Sequence, residues 1–183
     1  KYKRSLYNIP WIAITGSVGK TSTKDMIASV MSQQYDTLKT QGNYNNQIGL
    51  PLTILELKKQ NVAVVEMGMN HFGEISYLTN IAKPDVAVIT NIGTAHIGIL
   101  GSRENILKAK MEILEGLKPE GTVVINQDND LLRAWYEKNK NQYKVITYGI
   151  KQESNYTAKE IQFYEDRSEY WLYKKEKKIR KIV

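Results

Sequence analysis

The chain of 183 residues has no cysteine, only two histidines and only four prolines. Without cysteine it can form neither a disulfide framework nor a thiolate zinc site, and it has no cysteine nucleophile. His71 and His96 are too few for a metal site built from several histidines. No apolar run approaches the roughly 18 residues of a membrane-spanning helix, and no signal-peptide pattern opens the sequence. We therefore expect a soluble cytoplasmic protein that does not insert into a membrane.

The composition is that of a globular protein, with 42% hydrophobic and 25% charged residues, which excludes a disordered chain. The length suits one domain, or one domain with a small appendage. The net charge is 26 − 19 = +7. This charge does not indicate nucleic-acid binding, because acidic residues are interspersed among the basic ones and no run of aromatics and glycines suggests base stacking. An excess of positive charge also suits an anionic substrate.

Short apolar runs alternate with amphipathic stretches along the first 150 residues. These runs predict strands that are buried on both faces and joined by helices. The predicted fold class is α/β, with a mostly parallel sheet and helices on both faces. The predicted strands are Trp11–Thr15, Val62–Glu66, Asp85–Thr90, Thr122–Asn126 and Lys144–Tyr148. One predicted helix follows the first strand and ends near Met31, and the others span residues 73–81, 103–117 and 129–139.

Residues 156–183 differ from the rest, since apolar and polar side chains alternate there and Tyr, Ile and Lys are frequent. Alternation of this kind, with a turn at residues 165–167, predicts the start of an antiparallel hairpin beside the main sheet. We therefore assign residues 1–150 to the α/β core. Residues 151–183 are assigned to a β-hairpin appendage that is cut at the end of the chain.

The strongest functional pattern is a glycine-bounded loop between the first strand and the first helix. It reads G-x-x-G-K-T and is shorter than the usual P-loop, whose first glycine would fall at Ile14. Backbone N–H groups in such a loop surround a phosphate, while the lysine adds a positive charge and the threonine hydroxyl binds Mg²⁺. The pattern favours a P-loop NTPase-like nucleotide site over a plain turn with a solvated lysine. The candidate nucleotide-binding residues are Gly16, Ser17, Val18, Gly19, Lys20, Thr21 and Ser22.

Two other segments rich in glycine and polar residues, Glu66–Gly73 and Asn91–Gly101, follow predicted strands toward the same edge of the sheet, and a loop and a helix elsewhere offer further candidates. Glu66 ends the second strand beside the loop, which favours Mg²⁺ binding over an ordinary exposed carboxylate. His96 follows the third strand, although a lone histidine is more often a surface or capping residue. The amide-rich loop at residues 41–51 suits a polar substrate only modestly better than an ordinary turn. Lys110 lies on a helix, where lysines are usually solvated, and the residues alone do not favour it over Lys108.

Five motifs in order, taken together, resemble the central domain of the Mur ligases, the ATP-dependent amide-forming enzymes of peptidoglycan assembly. The motifs are TGSVGKTS, GNYNNQIGLPLTIL, EMGMNHFGEI, TNIGTAHIGILGS and KAKMEIL, followed by VINQDND. The resemblance covers roughly residues 8–160. The second and third motifs are most similar to those of the family members that add D-Ala-D-Ala.

The resemblance implies a reaction and its cofactors, ATP and Mg²⁺. ATP would phosphorylate the C-terminal carboxylate of a UDP-N-acetylmuramoyl-tripeptide, and the amine of D-Ala-D-Ala would attack the acyl phosphate. It also implies that Lys110 is carbamylated, which turns a cation into a carboxylate-like ligand. The implied catalytic residues are Lys20, His96 and Lys110, and the implied metal ligands are Thr21, Glu66, His96 and Lys110. Asn43, Asn45 and Asn46 would face the peptide substrate, and Asn126 and Asp128 would lie near the adenine.

Mur ligases also have an N-terminal domain for the UDP-sugar and a C-terminal domain that closes over ATP. We expect neither in this chain, so by itself it should bind nucleotide weakly, as a monomer, and catalyse no ligation. Other interpretations stay open at this point. They are another ligase of the superfamily, such as the enzyme that adds the third peptide residue or folylpolyglutamate synthase, a P-loop module without ligase chemistry, and a nucleic-acid binder.

Overall fold

The structure is a computed structural model that describes residues 1–183. Strands and helices alternate along most of the chain. The strands are β1 (Trp11–Thr15), β2 (Thr37–Lys39), β3 (Val62–Glu66), β4 (Val86–Ile89), β5 (Thr122–Asn126), β6 (Lys144–Gly149), β7 (Tyr156–Phe163), β8 (Ser168–Lys174) and β9 (Lys177–Ile182). The helices are α1 (Tyr2–Ser5), α2 (Lys20–Met31), α3 (Gly49–Leu55), α4 (Glu74–Ala82), α5 (Ile97–Leu100), α6 (Arg103–Met111) and α7 (Asp130–Asn139), with a 3₁₀ helix at Glu112–Gly116. None of these helices has the length and apolar character needed to cross a bilayer.

All the strands belong to one sheet, in the order β2-β3-β1-β4-β5-β6-β7-β8-β9. Neighbouring strands from β2 to β7 are parallel, whereas β8 is antiparallel to both of its neighbours, β7 and β9. From β1 the chain first builds the sheet on one side, with β2 and β3, and then continues on the other side with β4. The loops that follow β1 and β4 therefore diverge at a topological switch point, where open α/β sheets bind ligands.

Both faces of the sheet are covered, as the continuous apolar strands predict. Along β1, Trp11 and Ala13 point into a large core cluster, while Ile12 and Ile14 belong to a smaller one on the other face. The large cluster contains apolar residues from α3, α4, α6 and α7. The smaller cluster contains Ala28 of α2. The α/β class with a mostly parallel sheet and helices on both faces is confirmed.

The structure adds elements that the sequence pattern did not predict. Strand β2 and helix α1 are three and four residues long, which is too short to produce a recognisable period. The predicted helix at 103–117 is α-helical only as far as Met111 and then tightens into the 3₁₀ helix. The predicted hairpin is present and has a third strand, β9. Because β7 pairs with β6 through Tyr148 and Tyr156, the appendage extends the main sheet, and a domain boundary at residue 150 stays a prediction.

Candidate active site

The loop after β1 lies directly against the end of β4. A Cβ atom placed on Gly16 would overlap Thr90 Oγ1 and would lie 3.2 Å from the backbone nitrogen of Asn91. Only glycine fits such a close approach. The first glycine of the loop is therefore required by packing at the switch point.

The second glycine of the loop starts helix α2. Gly19 has a φ of +79° and is the N-cap residue of this 12-residue helix. The backbone N–H groups of Gly19, Lys20, Thr21 and Ser22 donate to no acceptor within the protein. Lys20 Nζ turns back over the loop and donates to the carbonyl oxygen of Gly16 at 3.0 Å. Free N–H groups, a helix dipole and a lysine at one point form a site that can bind phosphate.

Two of the predicted loop residues, Ser17 and Val18, have N–H groups that are already engaged within the protein. Asn91 Oδ1 accepts hydrogen bonds from the backbone nitrogens of Ser17, at 3.1 Å, and Val18, at 3.0 Å. Asn91 follows β4 and was not among the residues that the sequence singled out. The predicted loop thus contains two kinds of N–H group, those bonded to Asn91 and those with no partner in the protein.

Glu66, at the end of β3, lies beside the loop as predicted and is only 1% exposed. Both carboxylate oxygens accept hydrogen bonds, one from Thr21 Oγ1 at 2.9 Å and the other from Asn45 Nδ2 at 2.7 Å. Its backbone N–H donates to Thr40 Oγ1 at 3.0 Å. A carboxylate that is buried but bonded on both oxygens is held in one orientation.

The ligands available around Glu66 suit Mg²⁺, which is also bound by phosphate and water, better than a metal ion whose ligands all come from the protein. No group of three or more Asp, Glu, His and Cys side chains that could hold a metal occurs anywhere in the chain. Mg²⁺, however, is commonly bound by one or two carboxylates together with substrate phosphates and water. The Thr21 hydroxyl and the Glu66 carboxylate, next to the phosphate-binding end of α2, fit that mode.

A cavity of about 450 Å³ opens beside these groups. Its lining includes Lys20, Asn45, Glu74, His96 and Lys110. A larger cavity, of about 770 Å³, lies over the connection between β6 and β7 and includes none of the predicted catalytic or metal-binding residues. We place the candidate site in the smaller cavity because the loop lysine, His96 and Lys110 all reach it.

Lys110 contradicts the expectation that a helical lysine is solvated. It is 2% exposed, and burial, reinforced by the charge of Lys20, lowers its pKa from 10.5 to about 7. Lys108, by contrast, is exposed and lies over the ring of Phe72. The spacing of Lys110 from Ile106 and Ile113, both buried, places it on the apolar side of α6. That spacing is a signal by which the sequence could have distinguished the two lysines.

His96 occupies a backbone conformation that few side chains adopt. Its φ is +68°, and it is the N-cap residue of the short helix α5. Burial lowers the pKa of its imidazole, and the charges of Lys110 and Lys20 lower it further, against an opposing effect of Glu74. At neutral pH the ring is therefore mostly uncharged, which is the form that can ligate a metal.

Glu74 is a cavity residue that the sequence analysis did not select, although it lies within the motif EMGMNHFGEI. Burial raises the pKa of its carboxyl, but hydrogen bonds from the backbone N–H groups of Asn70 and His71 outweigh that effect and leave the pKa lowered. It is the first residue of α4 and accepts from Asn70 at 2.6 Å. Its carboxylate is thus largely committed to the start of that helix.

The three asparagines predicted to face a substrate have different surroundings. Asn45 binds Glu66, as described, and its side chain packs on Gly68, where an added Cβ would lie 2.9 Å from Asn45 Oδ1. Asn46 lines the cavity and accepts at Oδ1 from the N–H groups of Ile48 and Gly49, at the start of α3. Asn43 is exposed and is not part of the cavity lining.

Asn126 and Asp128, predicted to lie near adenine, border a different cavity of about 460 Å³ that is lined mainly by apolar side chains. Asn126 Oδ1 accepts from the backbone N–H of Asp128 at 3.0 Å. The Asp128 carboxylate accepts from three consecutive N–H groups, those of residues 150, 151 and 152. Asp128 therefore fixes the loop after β6 at the rim of this cavity.

Comparison with known proteins gives concordant matches. A family model described as the Mur ligase middle domain matches residues 14–182. The UDP-N-acetylmuramoyl-tripeptide–D-alanyl-D-alanine ligase of Synechocystis is 50% identical over 153 residues, which are 80% of this chain and 32% of that protein. A crystal structure of MurF from Acinetobacter baumannii has a TM-score of 0.90 and 37% identity, covering 97% of this chain and 39% of that one. MurF from Thermotoga maritima, in complex with ADP, has a TM-score of 0.88 and 31% identity, covering 97% and 41%. The chain thus spans about a third of the length of the curated relatives it matches.

Proposed function

The chain belongs to the Mur ligase family, whose middle domain it matches, and we propose that it is the ATP-binding part of a ligase that adds D-Ala-D-Ala to UDP-N-acetylmuramoyl-tripeptide. The resemblance expected from the five motifs is confirmed by the family match and by the relatives at 40–50% identity. One observation carries the proposal for the site. Lys20, His96 and Lys110 converge on one cavity beside the hydrogen-bonded pair of Thr21 and Glu66.

The start of α2 would hold the phosphates of ATP. The unpartnered N–H groups at residues 19–22 supply donors, and Lys20 supplies a positive charge within reach of the loop. Thr21 and Glu66 would hold Mg²⁺, which when bound neutralises phosphate charge. Because the carboxylate of Glu66 is already oriented by Thr21 and Asn45, the protein would reorganise little on binding.

Lys110 is suited to carbamylation because a pKa of about 7 leaves a substantial share of its amine neutral near pH 7. The neutral nitrogen attacks the carbon of CO₂, an N–C bond forms, and one proton is released to solvent, leaving a carbamate anion. That anion would lie in the same cavity as Lys20 and His96. Carbamylation would add to the site an acidic ligand that the unmodified sequence does not provide.

The proposed reaction has two steps. In the first, a carboxylate oxygen of the tripeptide attacks the γ-phosphorus of ATP, the bond to the bridging oxygen breaks, and ADP leaves. In the second, the amine of D-Ala-D-Ala attacks the acyl carbon, phosphate leaves from the tetrahedral intermediate, and the amine loses a proton. Catalysis of this kind depends on positioning and on charge neutralisation, which the cationic side chains of the cavity favour.

The remaining assignments follow from the same proposal. Asn43, Asn45 and Asn46 would contact the tripeptide substrate or orient the groups that do. Adenine would lie against the apolar cavity beside Asn126 and Asp128, whose lining suits an aromatic base. Since ATP and the UDP-linked tripeptide are made inside cells, we further propose a cytoplasmic location, and we also propose, as expected from the sequence, a monomer.

Nucleotide binding by this chain tests the role of the loop. We expect titration calorimetry with Mg·ADP to give a weak but measurable affinity, and Lys20→Ala to reduce it by about 10- to 100-fold, the loss of about 1.5–3 kcal/mol typical of a charged hydrogen bond. Lys108→Ala, which removes an exposed lysine near the site, serves as the matched control and should bind as the unaltered chain does. Equal binding by all three proteins would contradict the proposed phosphate site.

Phosphate release by an intact protein that contains this chain tests the reaction itself. With ATP, Mg²⁺ and UDP-N-acetylmuramoyl-tripeptide, we expect release that requires D-Ala-D-Ala and is abolished by Lys20→Ala. Release that instead requires a single amino acid and the shorter dipeptide precursor would keep the family and reassign the substrate. Equal release without either acceptor would count against a ligase.

A further inference from the structure

The segment Thr90–Gly93, which follows β4, holds the phosphate loop through side chains as well as backbone. Asn91 Oδ1 accepts from two consecutive N–H groups, those of Ser17 and Val18. The carbonyl oxygen of Asn91 also accepts from Ser17 at 3.0 Å. Asn91 therefore accepts hydrogen bonds from both N–H groups that lie between the two glycines of the loop.

Two neighbouring residues of the segment donate hydrogen bonds to the loop instead of accepting them. Thr90 Oγ1 donates to the carbonyl oxygen of Val18 at 2.7 Å, and the backbone N–H of Gly93 donates to Ser17 Oγ at 2.9 Å. The hydroxyl of Thr90 also fills the space that any side chain at Gly16 would need. Donors and acceptors of the loop are thus both satisfied by the same four-residue segment.

The segment is itself fixed from its other side by α6 and by the residue before α7. The carbonyl oxygen of Ile92 accepts from Arg103 at 2.9 Å and from Asn129 Nδ2 at 3.0 Å. Arg103 in turn makes a bidentate contact with Asp130, at 2.9 and 2.6 Å. A segment anchored on both sides is a support for the loop and has little freedom to withdraw from it.

Resting on the proposed function, we infer that Asn91 is a positioning residue of the phosphate site. Its side-chain oxygen accepts hydrogen bonds from Ser17 and Val18, which withdraws these two N–H groups from phosphate and leaves those of residues 19–22 free to bind it. The amide oxygen has two lone pairs and is neutral, so it can satisfy two N–H groups without repelling a phosphate nearby. Because the loop is already ordered, nucleotide binding does not have to pay the entropy of ordering it.

Amide hydrogen exchange of the nucleotide-free chain, measured by NMR, tests the contact independently of any ligand. We expect slow exchange at Ser17 and Val18 in the unaltered chain and at least about tenfold faster exchange at Val18 in Asn91→Ala, because Val18 loses its acceptor there, whereas Ser17 keeps the backbone carbonyl oxygen of residue 91. Asn91→Asp keeps the acceptor and should restore the protection. Thr23, whose N–H bonds the carbonyl oxygen of Gly19, reports whether α2 is intact, and Asn80→Ala is a matched control on α4.

Mg·ADP titration of the same samples tests the division of the loop. We expect the largest amide shift changes at residues 19–22 and small ones at Ser17 and Val18, with affinity about tenfold weaker in Asn91→Ala. Unchanged protection of Val18 in Asn91→Ala, or the largest shift changes at Ser17 and Val18, would overturn the inference. If Asn91→Ala does not fold, the exchange rates and shift changes of the unaltered chain still distinguish the expected result from the overturning one. Absence of ADP binding by the unaltered chain would refute the proposed function, whereas the exchange data would still decide the contact.

Discussion

Replacing Lys110 with methionine should make the folded chain more stable while removing a group on which the proposed function depends. Methionine has a similar length and no charge, so it can fill the site that Lys110 occupies on the apolar side of α6. The stabilisation is expected because the folded state now holds an amine in surroundings that disfavour its protonation. Burial is the larger cause and the nearby charge of Lys20 the smaller one.

The size of the effect follows from the difference in pKa between the two states. In the unfolded chain Lys110 has its ordinary pKa of 10.5, and in the folded chain its pKa is about 7. Between these pH values the unfolded state binds one more proton, so the free energy of unfolding rises with pH by about 1.4 kcal/mol per pH unit from this group. Above pH 10.5 the amine is neutral in both states and costs nothing. At pH 7 and below, the accumulated cost is at most about 5 kcal/mol.

Urea denaturation in CO₂-free buffer, at pH 7, 8, 9 and 10, measures this cost. The difference in unfolding free energy between Lys110→Met and the unaltered chain should be largest at pH 7 and should shrink steadily toward pH 10. Lys108→Met, on the exposed side of the same helix, should show no such trend. Adding bicarbonate should stabilise the unaltered chain but not Lys110→Met, if the amine is carbamylated. A variant less stable than the unaltered chain, or a pH-independent difference, would refute the reasoning.

Three further substitutions test contacts around the site. Asn45→Ala should cost about 1.5–3 kcal/mol of unfolding free energy in urea titrations, since it leaves an oxygen of the buried Glu66 carboxylate without its donor; no loss would show that the bond is unimportant. Gly16→Ala should lower the melting temperature more than Gly19→Ala, because a Cβ at Gly16 overlaps its neighbours. A Cβ at Gly19 meets no other atom, so that variant has only the strain of its positive φ, about 1–2 kcal/mol. The reverse order of melting temperatures would contradict the packing argument. Asp128→Ala should accelerate amide exchange at residues 150–152, which lose their shared acceptor, and unchanged exchange there would count against that role.

The sequence predicts the sheet well because its central strands are continuous apolar runs, and such runs are typical of strands that are buried on both faces of a parallel sheet. Strand β3, for example, is buried along its whole length, and its last residue, Glu66, reaches the loop as the parallel arrangement requires. The short strand β2 escapes prediction since three residues have no period. The pattern also places the glycine loop correctly, because a strand, a turn and a helix are all local structures.

Contacts between segments distant in the sequence are what the pattern does not predict. Asn91 and Ser17 are 74 residues apart, and nothing in either segment indicates that one side chain receives two N–H groups of the other. Lys110 is a different case, since its spacing from the buried Ile106 and Ile113 is a local signal that separates it from Lys108, although the role of its amine does not follow from that spacing. The family resemblance gives Lys110 as a candidate metal ligand but gives no role to Asn91, because a motif records residue types and does not show the contacts between them.

In the proposed site, the charges of the cavity favour a carbamate and a metal ion together over either one alone. Lys20 and the unmodified Lys110 repel each other there, which is part of the reason that the pKa of Lys110 is low. Carbamylation removes that repulsion, but it places an anion in the cavity where the phosphates of ATP would also lie, and two anions in a confined site repel strongly. In the proposed site Thr21 and Glu66 would hold Mg²⁺, whose charge would offset that repulsion. The proposed function therefore predicts that bicarbonate strengthens the binding of Mg·ADP and has no such effect on ADP without Mg²⁺.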